Sequence, residues 1–174
     1  MTMCSSKDLH DFEEAWKEFL RRLERIWNKT EAHFMKSQKW NGWNGKYLTL
    51  RKSDPLLCYL VNARCADEHT VAVITAKTPG SIGINPSQGD FLHIRRMTIT
   101  PGKIFVDSSQ PISVDFIPGK VQLLPVVNRG RKYPVPASHL GRSIESDDVL
   151  TLAELGVSFY EEVLQKADVY FVKT

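Results

Sequence analysis

Residues Leu56 to Val71 of this chain read LLCYLVNARCADEHTV. Ser53, Asp54 and Pro55 precede the stretch and are typical of a helix start, because a short polar side chain caps the first turn and proline fits there. Apolar residues then form the buried face of the predicted helix, namely Leu56, Leu57, Leu60, Val61 and Ala63. The helix is expected to end in polar residues, with Arg64, Asp67, Glu68 and His69 in its last turns.

Two longer amphipathic helices are predicted on either side of this one. From Asp8, the expected N-cap, to about Met35, apolar residues recur at spacings of three and four. A second stripe follows Ser146, the expected N-cap of a helix that runs to Phe171. Its apolar face is wide, which predicts burial on more than one side, in a bundle or at a dimer interface. The predicted helical core comprises residues 8–76 and 146–172.

The segment between the first two predicted helices breaks the helical period. Asn-Gly pairs at 41–42 and 44–45 are strong turn signals, so residues 36–54 are predicted to be a turn region. Trp40 and Trp43 lie within it. Packing on the edge of the core is the favoured interpretation, and stacking on a nucleobase is the alternative.

A β-rich insert is predicted over residues 90–136, where the apolar period falls to two. Turn signals separate its short runs, among them Pro101-Gly102 and Asn128-Arg129-Gly130. Consecutive strands with short turns predict an antiparallel meander or a small barrel. The expected fold is therefore α+β, a single domain over residues 1–174 that consists of a helical core and an inserted β-unit.

Composition favours one globular domain, since 174 residues with 42% hydrophobic content can bury a core. Apolar runs stay well short of the roughly 18 residues that span a bilayer, so a cytoplasmic location without a membrane partner is expected. Cys4, Cys58 and Cys65 form no close Cys-x-x-Cys pair and are expected to pack as small hydrophobes in a reducing compartment.

Positive charge is concentrated in one part of the chain. Between Phe91 and Arg142 there are eight Lys or Arg residues against two acids, Asp107 and Asp115. Such a surface favours phosphate-bearing partners through counterion release, although a merely solvated surface can have the same composition. The candidate nucleic-acid contacts are Arg95, Arg96, Arg129, Arg131 and Lys132.

The segment YLVNARCADEHTV, residues 59–71, resembles the Arg-x4-His motif of the HEPN superfamily, the helical nucleotide-binding and ribonuclease domains of toxins and antiphage systems. In both cases the motif ends a helix that follows a long amphipathic first helix. The resemblance covers roughly residues 8–71 and 146–171 and excludes the β-rich insert.

This resemblance implies a metal-independent endoribonuclease without a cofactor, whose site is shared by two subunits, in a toxin-antitoxin or antiviral defence system. His69 would be the general acid or base, because imidazole titrates near neutral pH. Arg64 would bind the phosphate through its fork of donors and stabilise the charge of the transition state. Asn62 and Glu68 would orient these two groups. RNA and a second copy of the chain are the implied partners.

The arrangement of Arg64 and His69 leaves alternatives open. The two residues are five apart and so lie about 140° apart around an ideal helix. They converge only near a helix end, at a kink or across a symmetric interface. Alternatively, Arg64 and Glu68 form a structural i, i+4 pair and His69 is stabilised by the helix dipole. The protein would then be a non-catalytic module that binds nucleic acid or an acidic protein through the basic insert, or a purely structural protein.

No metal site is expected from the remaining histidines. His10, His33, His93 and His139 are scattered along the chain without the spacing typical of metal ligands.

Overall fold

The computed structural model describes residues 9–69 and 72–172. These residues form two compact units. One contains the described residues up to Lys77 together with those from Val121 onward, and the other is Thr78–Lys120. The predicted α+β fold class is confirmed, since the chain combines helices with antiparallel strand pairs.

Four helices are present in the described part of the chain: α1 (Leu9–Phe34), α2 (Trp40–Ser53), α3 (Pro55–His69) and α4 (Val149–Phe171). The strands are β1 (Thr75–Thr78), β2 (Ser81–Pro86), β3 (Ile94–Thr100), β4 (Lys103–Ser108), β5 (Ile112–Ile117), β6 (Lys120–Leu123), β7 (Val126–Asn128), β8 (Arg131–Tyr133), β9 (Ser138–His139) and β10 (Arg142–Ser143). The helix α3 contacts the other three helices and also β7, β8 and β9. It is therefore the centre of the helical unit.

The core of the helical unit lies where α1, α3 and α4 meet. Trp16, Leu56 and Leu152 have no exposed surface. Gly156 of α4 allows a close helix approach, because a Cβ atom at this position would lie 2.9 Å from Cδ1 of Leu60. The apolar periodicity that predicted these three helices thus corresponds to their buried faces.

The helix α2 corrects the prediction for residues 36–54. Both Asn-Gly pairs lie inside this helix rather than in turns. A Cβ atom at Gly42 or Gly45 would meet no atom within 4 Å, so both glycines lie on an open face and weaken the helix only by about 1 kcal/mol each. Burial of the opposite face overrides the local turn preference. The buried residues recur at helical spacing and are Trp40, Asn44, Tyr47 and Arg51.

Aspartates cap α3 and α4. The N–H of Leu57 donates to Oδ1 of Asp54 over 3.0 Å. Asp148 accepts from two backbone N–H groups in the first turn of α4, so it is the N-cap in place of the predicted Ser146. Ser146 lies two residues too early and instead accepts from the N–H of Asp148 over 3.2 Å. The predicted cap of α1, Asp8, lies outside the described residues.

The unit Thr78–Lys120 consists of two nested antiparallel ribbons. Strand β2 pairs with β5, and β3 pairs with β4 in the segment between them. The described strands form two-stranded pairs and no closed barrel. Strands β1 and β2 were not predicted, because the Gly, Pro and Ser residues around them obscure the alternation of Ile82 and Ile84. The separate unit also differs from the predicted insert of 90–136, since β7 and β8 belong to the helical unit.

Each ribbon has one apolar face. Side chains that face each other across an antiparallel pair lie on the same side, so register defines these faces. On the first ribbon the apolar residues are Ile82, Ile84, Val114 and Phe116, and on the second they are Met97, Ile99, Ile104 and Val106. No residue of Thr78–Lys120 is buried. This unit therefore contributes little apolar burial to the stability of the described fold.

We expect the helical unit to fold without residues 81–118. A Cβ atom at Gly80 would lie 3.0 Å from the backbone nitrogen of Gly119, so an Asn-Gly linker can join these two positions. Because the excised residues include no buried side chain, the melting temperature should fall by less than about 4 °C. Thermal melting followed by circular dichroism measures this change. Loss of the cooperative transition would show that the ribbons stabilise the helical unit.

Among the residues that the structure describes, no helix has both the length and the apolar character that a membrane span requires.

Candidate functional site

The last turns of α3 carry both residues of the predicted catalytic pair. Arg64 and Glu68 form an ion pair one turn apart, and 27% and 26% of their side chains are exposed. The Nε of Arg64 is buried and has no hydrogen-bond acceptor. His69 is the final residue of α3 and is exposed. The pair that the i, i+4 spacing predicted is therefore present, and Arg64 retains one unsatisfied donor, which costs about 1–3 kcal/mol.

The helix α3 runs without interruption from Pro55 to His69. Five residues of a regular helix rotate the side chain by about 140°, so Arg64 and His69 lie on different sides of α3. Within one chain the helix does not direct them toward a common point. The helix has no kink between them, and His69 is its last residue.

His69 lies on the same side of α3 as Cys58, Asn62 and Cys65, because spacings of four, three and four keep these residues within about 60°. Asn62 donates to the carbonyl oxygen of Cys58 over 2.7 Å. Its Oδ1 accepts from Nδ2 of Asn128 over 2.8 Å. Asn62 thus attaches the β7–β8 hairpin to α3, a contact that sequence analysis did not predict.

The β7–β8 hairpin has a tight two-residue turn. Arg129 and Gly130 have φ values of 49° and 76°, as in a two-residue type I′ turn. The phenol of Tyr59 donates to the carbonyl oxygen of Leu124 over 2.8 Å, which fixes the chain just before β7. Three basic side chains are exposed on this hairpin: Arg129, Arg131 and Lys132.

Arg131 lies close to the polar side of α3. Burial raises the pKa of the Cys58 thiol, and the positive charge of Arg131 partly opposes this rise. The guanidinium of Arg131 is also 5.4 Å from the ring centroid of Tyr133. The basic hairpin meets this side of α3 at Asn62, and His69 lies two turns, about 10 Å, further along the same side. We call the hairpin and this side of α3 together the α3–hairpin surface. It comprises Asn62, Cys65, His69, Arg129, Arg131 and Lys132.

The other two predicted nucleic-acid contacts belong to the separate strand unit. Arg95 pairs with Oδ1 of Asp107 over 3.0 Å and donates to the carbonyl oxygen of Ser108 over 3.0 Å. Arg96 is exposed on β3. The five candidate basic residues thus fall into two groups, and only those of the hairpin belong to the helical unit.

A buried Asp-His pair escaped sequence analysis. His139 Nδ1 lies 2.9 Å from Oδ1 of Asp54, and the N–H of Leu140 donates to Oδ2 of Asp54 over 2.6 Å. Burial by itself raises the pKa of Asp54, but hydrogen bonds from Leu57, His139 and Leu140 outweigh it and hold the pKa below its usual range. The pair connects the start of α3 to β9. Its partners are 85 residues apart in sequence, so no local pattern indicates it.

Arg51 is a second unpredicted polar centre. It is 8% exposed, its Nη2 donates to Glu24 over 2.7 Å and its Nη1 donates to the phenol of Tyr160. Its guanidinium lies 4.4 Å from the ring centroid of Trp27. Burial raises the pKa of Tyr160 to about 12, so this phenol stays protonated. Arg51 therefore connects α1, α2 and α4.

One group of side chains in the described residues has donor atoms close enough for a metal ion. The donor atoms of His10, Glu13 and Glu14 lie within 4.8 Å of one another. Thr75 and Lys77 already donate to Glu13, and Lys17 pairs with Glu14 over 2.8 Å. The group therefore has an electrostatic explanation within the protein, and no metal is assigned to it.

Comparison of the chain with family models, with curated proteins and with solved structures finds no match.

Proposed function

We propose that this protein is a metal-independent endoribonuclease of the HEPN type that acts as a homodimer. The observation that carries the proposal is the α3–hairpin surface. Exposed His69 lies on the same side of α3 as Asn62, and Asn62 bonds Asn128 of the basic hairpin. Single-stranded RNA would lie along this surface, with its phosphates near Arg129, Arg131 and Lys132. In the proposed complex, a scissile phosphodiester lies at the imidazole of His69.

The proposed reaction is a transfer within the RNA strand. A ribose 2′-hydroxyl loses its proton to the imidazole of His69, and its oxygen attacks the adjacent phosphorus. The bond from phosphorus to the 5′ oxygen breaks, and this oxygen takes up a proton. The products are a 2′,3′-cyclic phosphate and a 5′-hydroxyl, and the reaction needs no metal or redox cofactor.

Arg64 of the second copy supplies positive charge at the phosphate. An uninterrupted α3 points Arg64 away from the His69 of its own chain, so a two-fold arrangement of two α3 ends is the geometry that brings the two groups together. The guanidinium can hold two phosphate oxygens at once, which a lysine cannot do as well. Glu68 holds this guanidinium in place through its ion pair before RNA binds.

The proposal is tested by incubating the protein with a single-stranded RNA oligonucleotide in EDTA. Fragments that end in a 2′,3′-cyclic phosphate are the expected products. Fragments with a 3′-hydroxyl, or cleavage that requires added metal, would contradict the proposed reaction.

A second candidate function is a non-catalytic RNA-binding module. The favouring observation is that Arg64 and Asn62 already have partners within the fold, Glu68 and Asn128 respectively. Under this proposal the basic hairpin provides the binding surface and His69 has no chemical role. RNA would then bind in EDTA and remain intact.

Both candidates predict that the hairpin contributes to RNA affinity. Replacing Arg131 and Lys132 with glutamine should weaken binding of single-stranded RNA and reduce the salt dependence of log Kd by about 1.4, since each phosphate contact in a single strand contributes about 0.7. Fluorescence anisotropy over a series of salt concentrations measures both quantities. A matched control replaces the exposed residues Arg25 and Lys29 of α1 in the same way. An equal loss in the control would mean that net charge alone determines binding.

A further inference from the structure

A cleft of about 610 Å³ lies between α2 and the last turns of α4. Its aromatic lining residues are Trp43, Tyr47 and Tyr170, and its basic lining residues are Lys46 and Lys166. The cleft is separate from the α3–hairpin surface, and none of the residues proposed for RNA cleavage lines it.

The walls of the cleft offer aromatic faces. The indole of Trp43 lies 4.7 Å from the ring of Tyr47 and 6.4 Å from the ring of Tyr170, with interplanar angles of 49° and 29°. Tyr170 is 44% exposed, whereas Tyr47 is buried and half-buried Trp43 also contacts the rings of Trp40 and Phe171 over 5.5 and 5.4 Å. Tyr170 therefore provides the most exposed aromatic ring of the cleft. Aromatic faces that remain accessible in a cleft can stack on a planar ring such as a nucleobase.

Ammonium groups surround these aromatic faces. Lys46 Nζ lies 4.7 Å from the ring centroid of Tyr47, and Lys39 Nζ lies 5.9 Å from that of Tyr170. Lys166 forms an ion pair with Glu162, and this hydrogen bond lowers the pKa of the Glu162 carboxyl, with a smaller contribution from Lys46. The three lysines exceed the one acid, so the local charge favours an anion.

The aromatic rings and the lysines of the cleft together favour one class of ligand. An apolar peptide segment would use the aromatic faces but gain nothing from the lysines. Inorganic phosphate would use the lysines but not the aromatic faces. A nucleotide carries a planar aromatic base and an anionic phosphate on one molecule, and it can use both.

The position of the cleft shows that it is distinct from the proposed cleavage site. Near the start of α1, Glu13 bonds Thr75 and Lys77, which follow α3 closely in sequence. At the other end of α1, Phe34 stacks on Phe171 over 4.8 Å, next to the cleft. Asp67, in the last turn of α3, pairs with Arg21 over 3.2 Å, and Arg21 lies thirteen positions before Phe34, about 20 Å along α1. The cleft is therefore well separated along α1 from the end of α3.

We propose that this cleft binds a nucleotide, with the base stacked on Tyr170 beside Trp43 and the phosphate held by Lys39, Lys46 and Lys166. The ligand can be a free mononucleotide or the terminal nucleotide of an RNA strand, because both present the same base and phosphate. The proposal does not depend on cleavage at His69.

Isothermal titration of the full chain with AMP, adenosine and ribose 5-phosphate tests this assignment. AMP is expected to bind at least about tenfold more tightly than either of the other two, because only AMP uses both the aromatic faces and the lysines. Equal affinity for AMP and ribose 5-phosphate would overturn the stacking role. An absence of AMP binding at millimolar concentration would overturn the proposal as a whole.

Single substitutions separate the contribution of base stacking from that of the phosphate contacts. Tyr170→Ala should weaken AMP binding by about tenfold or more. Lys46→Gln should weaken AMP binding several-fold and leave adenosine binding unchanged, whereas Lys52→Gln, on another side of the same helix, should alter neither. If Lys46→Gln and Lys52→Gln have equal effects, the phosphate does not bind in the cleft. His69→Ala should leave AMP binding intact, so failure of the cleavage proposal and failure of this one are distinguishable.

The source of the nucleotide is distinguished by a third titration, with a short RNA that carries a 5′-phosphate and with the same RNA lacking it. Tighter binding of the phosphorylated strand than of AMP, lost in Tyr170→Ala, assigns the cleft to RNA ends. AMP binding equal to or tighter than that of the strand assigns it to free nucleotides.

Discussion

His69→Ala is expected to reduce cleavage of single-stranded RNA by about 10²-fold or more, because proton transfer by a positioned imidazole contributes roughly 10²–10⁴-fold to a rate. The side chain is exposed at the end of α3, so its removal should change the melting temperature by no more than about 2 °C. Cleavage is followed in EDTA with an end-labelled oligonucleotide, and stability by thermal melting of the same preparation.

His93→Ala is the matched control for this prediction. His93 is also exposed, but it lies in the strand unit outside the α3–hairpin surface. The control should cleave RNA at the wild-type rate. Undiminished cleavage by His69→Ala would remove His69 from the mechanism and assign the reaction to another group, whereas binding of intact RNA by the wild-type chain would leave the RNA-binding module as the remaining function.

Arg51→Ala is expected to cause the largest loss of stability of any single substitution considered for this chain. Arg51 is buried between Glu24 and Tyr160, and removing one partner of a buried charged network costs about 3–5 kcal/mol because the other partners lose their hydrogen bonds. Urea denaturation measures the free energy of unfolding. Lys52→Ala, at the adjacent exposed position, should change it by less than about 0.5 kcal/mol.

Arg51→Lys distinguishes the geometry of the guanidinium from its charge. Lysine keeps the positive charge but cannot bond Glu24 and Tyr160 through a planar fork while it also stacks on Trp27. We expect Arg51→Lys to recover only part of the lost stability. Full recovery would indicate that charge alone matters, and a loss below about 1 kcal/mol in Arg51→Ala would contradict the assigned role.

The sequence was sufficient to predict the helices whose apolar stripes are long and regular. In α1, α3 and α4 the stripe that makes the pattern visible is also the surface that packs in the core. The helix α2 was missed because its two Asn-Gly pairs are local turn signals, whereas its burial depends on partners from α1 and α4. Arg51 is the clearest case, since its partners Glu24 and Tyr160 are 27 and 109 residues away.

In the candidate site, contacts within one helix were predictable and contacts between distant elements were not. The i, i+4 spacing indicated the Arg64–Glu68 pair, because both partners lie on one helix. Asn62 was assigned an orienting role in the predicted site, but the structure also gives it a long-range partner, Asn128. This contact depends on how the β7–β8 hairpin packs against α3, which alternation and turn signals do not specify. The α3–hairpin surface therefore emerged only from the three-dimensional arrangement.

For the β-strands, the sequence predicted the strands themselves better than their pairing. Alternation and turn residues predicted a run of short strands within residues 90–136, where β4 and β5 are found. They did not predict that β2 pairs with β5 across 25 intervening residues, from Pro86 to Ile112. The pairing of distant strands is specified most strongly where one face of the sheet is buried against a core. Neither ribbon of this unit has a buried face in the described chain.

The most direct test of a cleavage site shared by two copies is a mixing experiment with Arg64→Ala and His69→Ala. Each variant alone is expected to be inactive toward single-stranded RNA. After dissociation and random reassociation, half of the dimers are mixed and each holds one intact site, so about a quarter of the wild-type activity should return. If the mixture stays as inactive as its components, Arg64 and His69 do not act on one phosphate across a dimer.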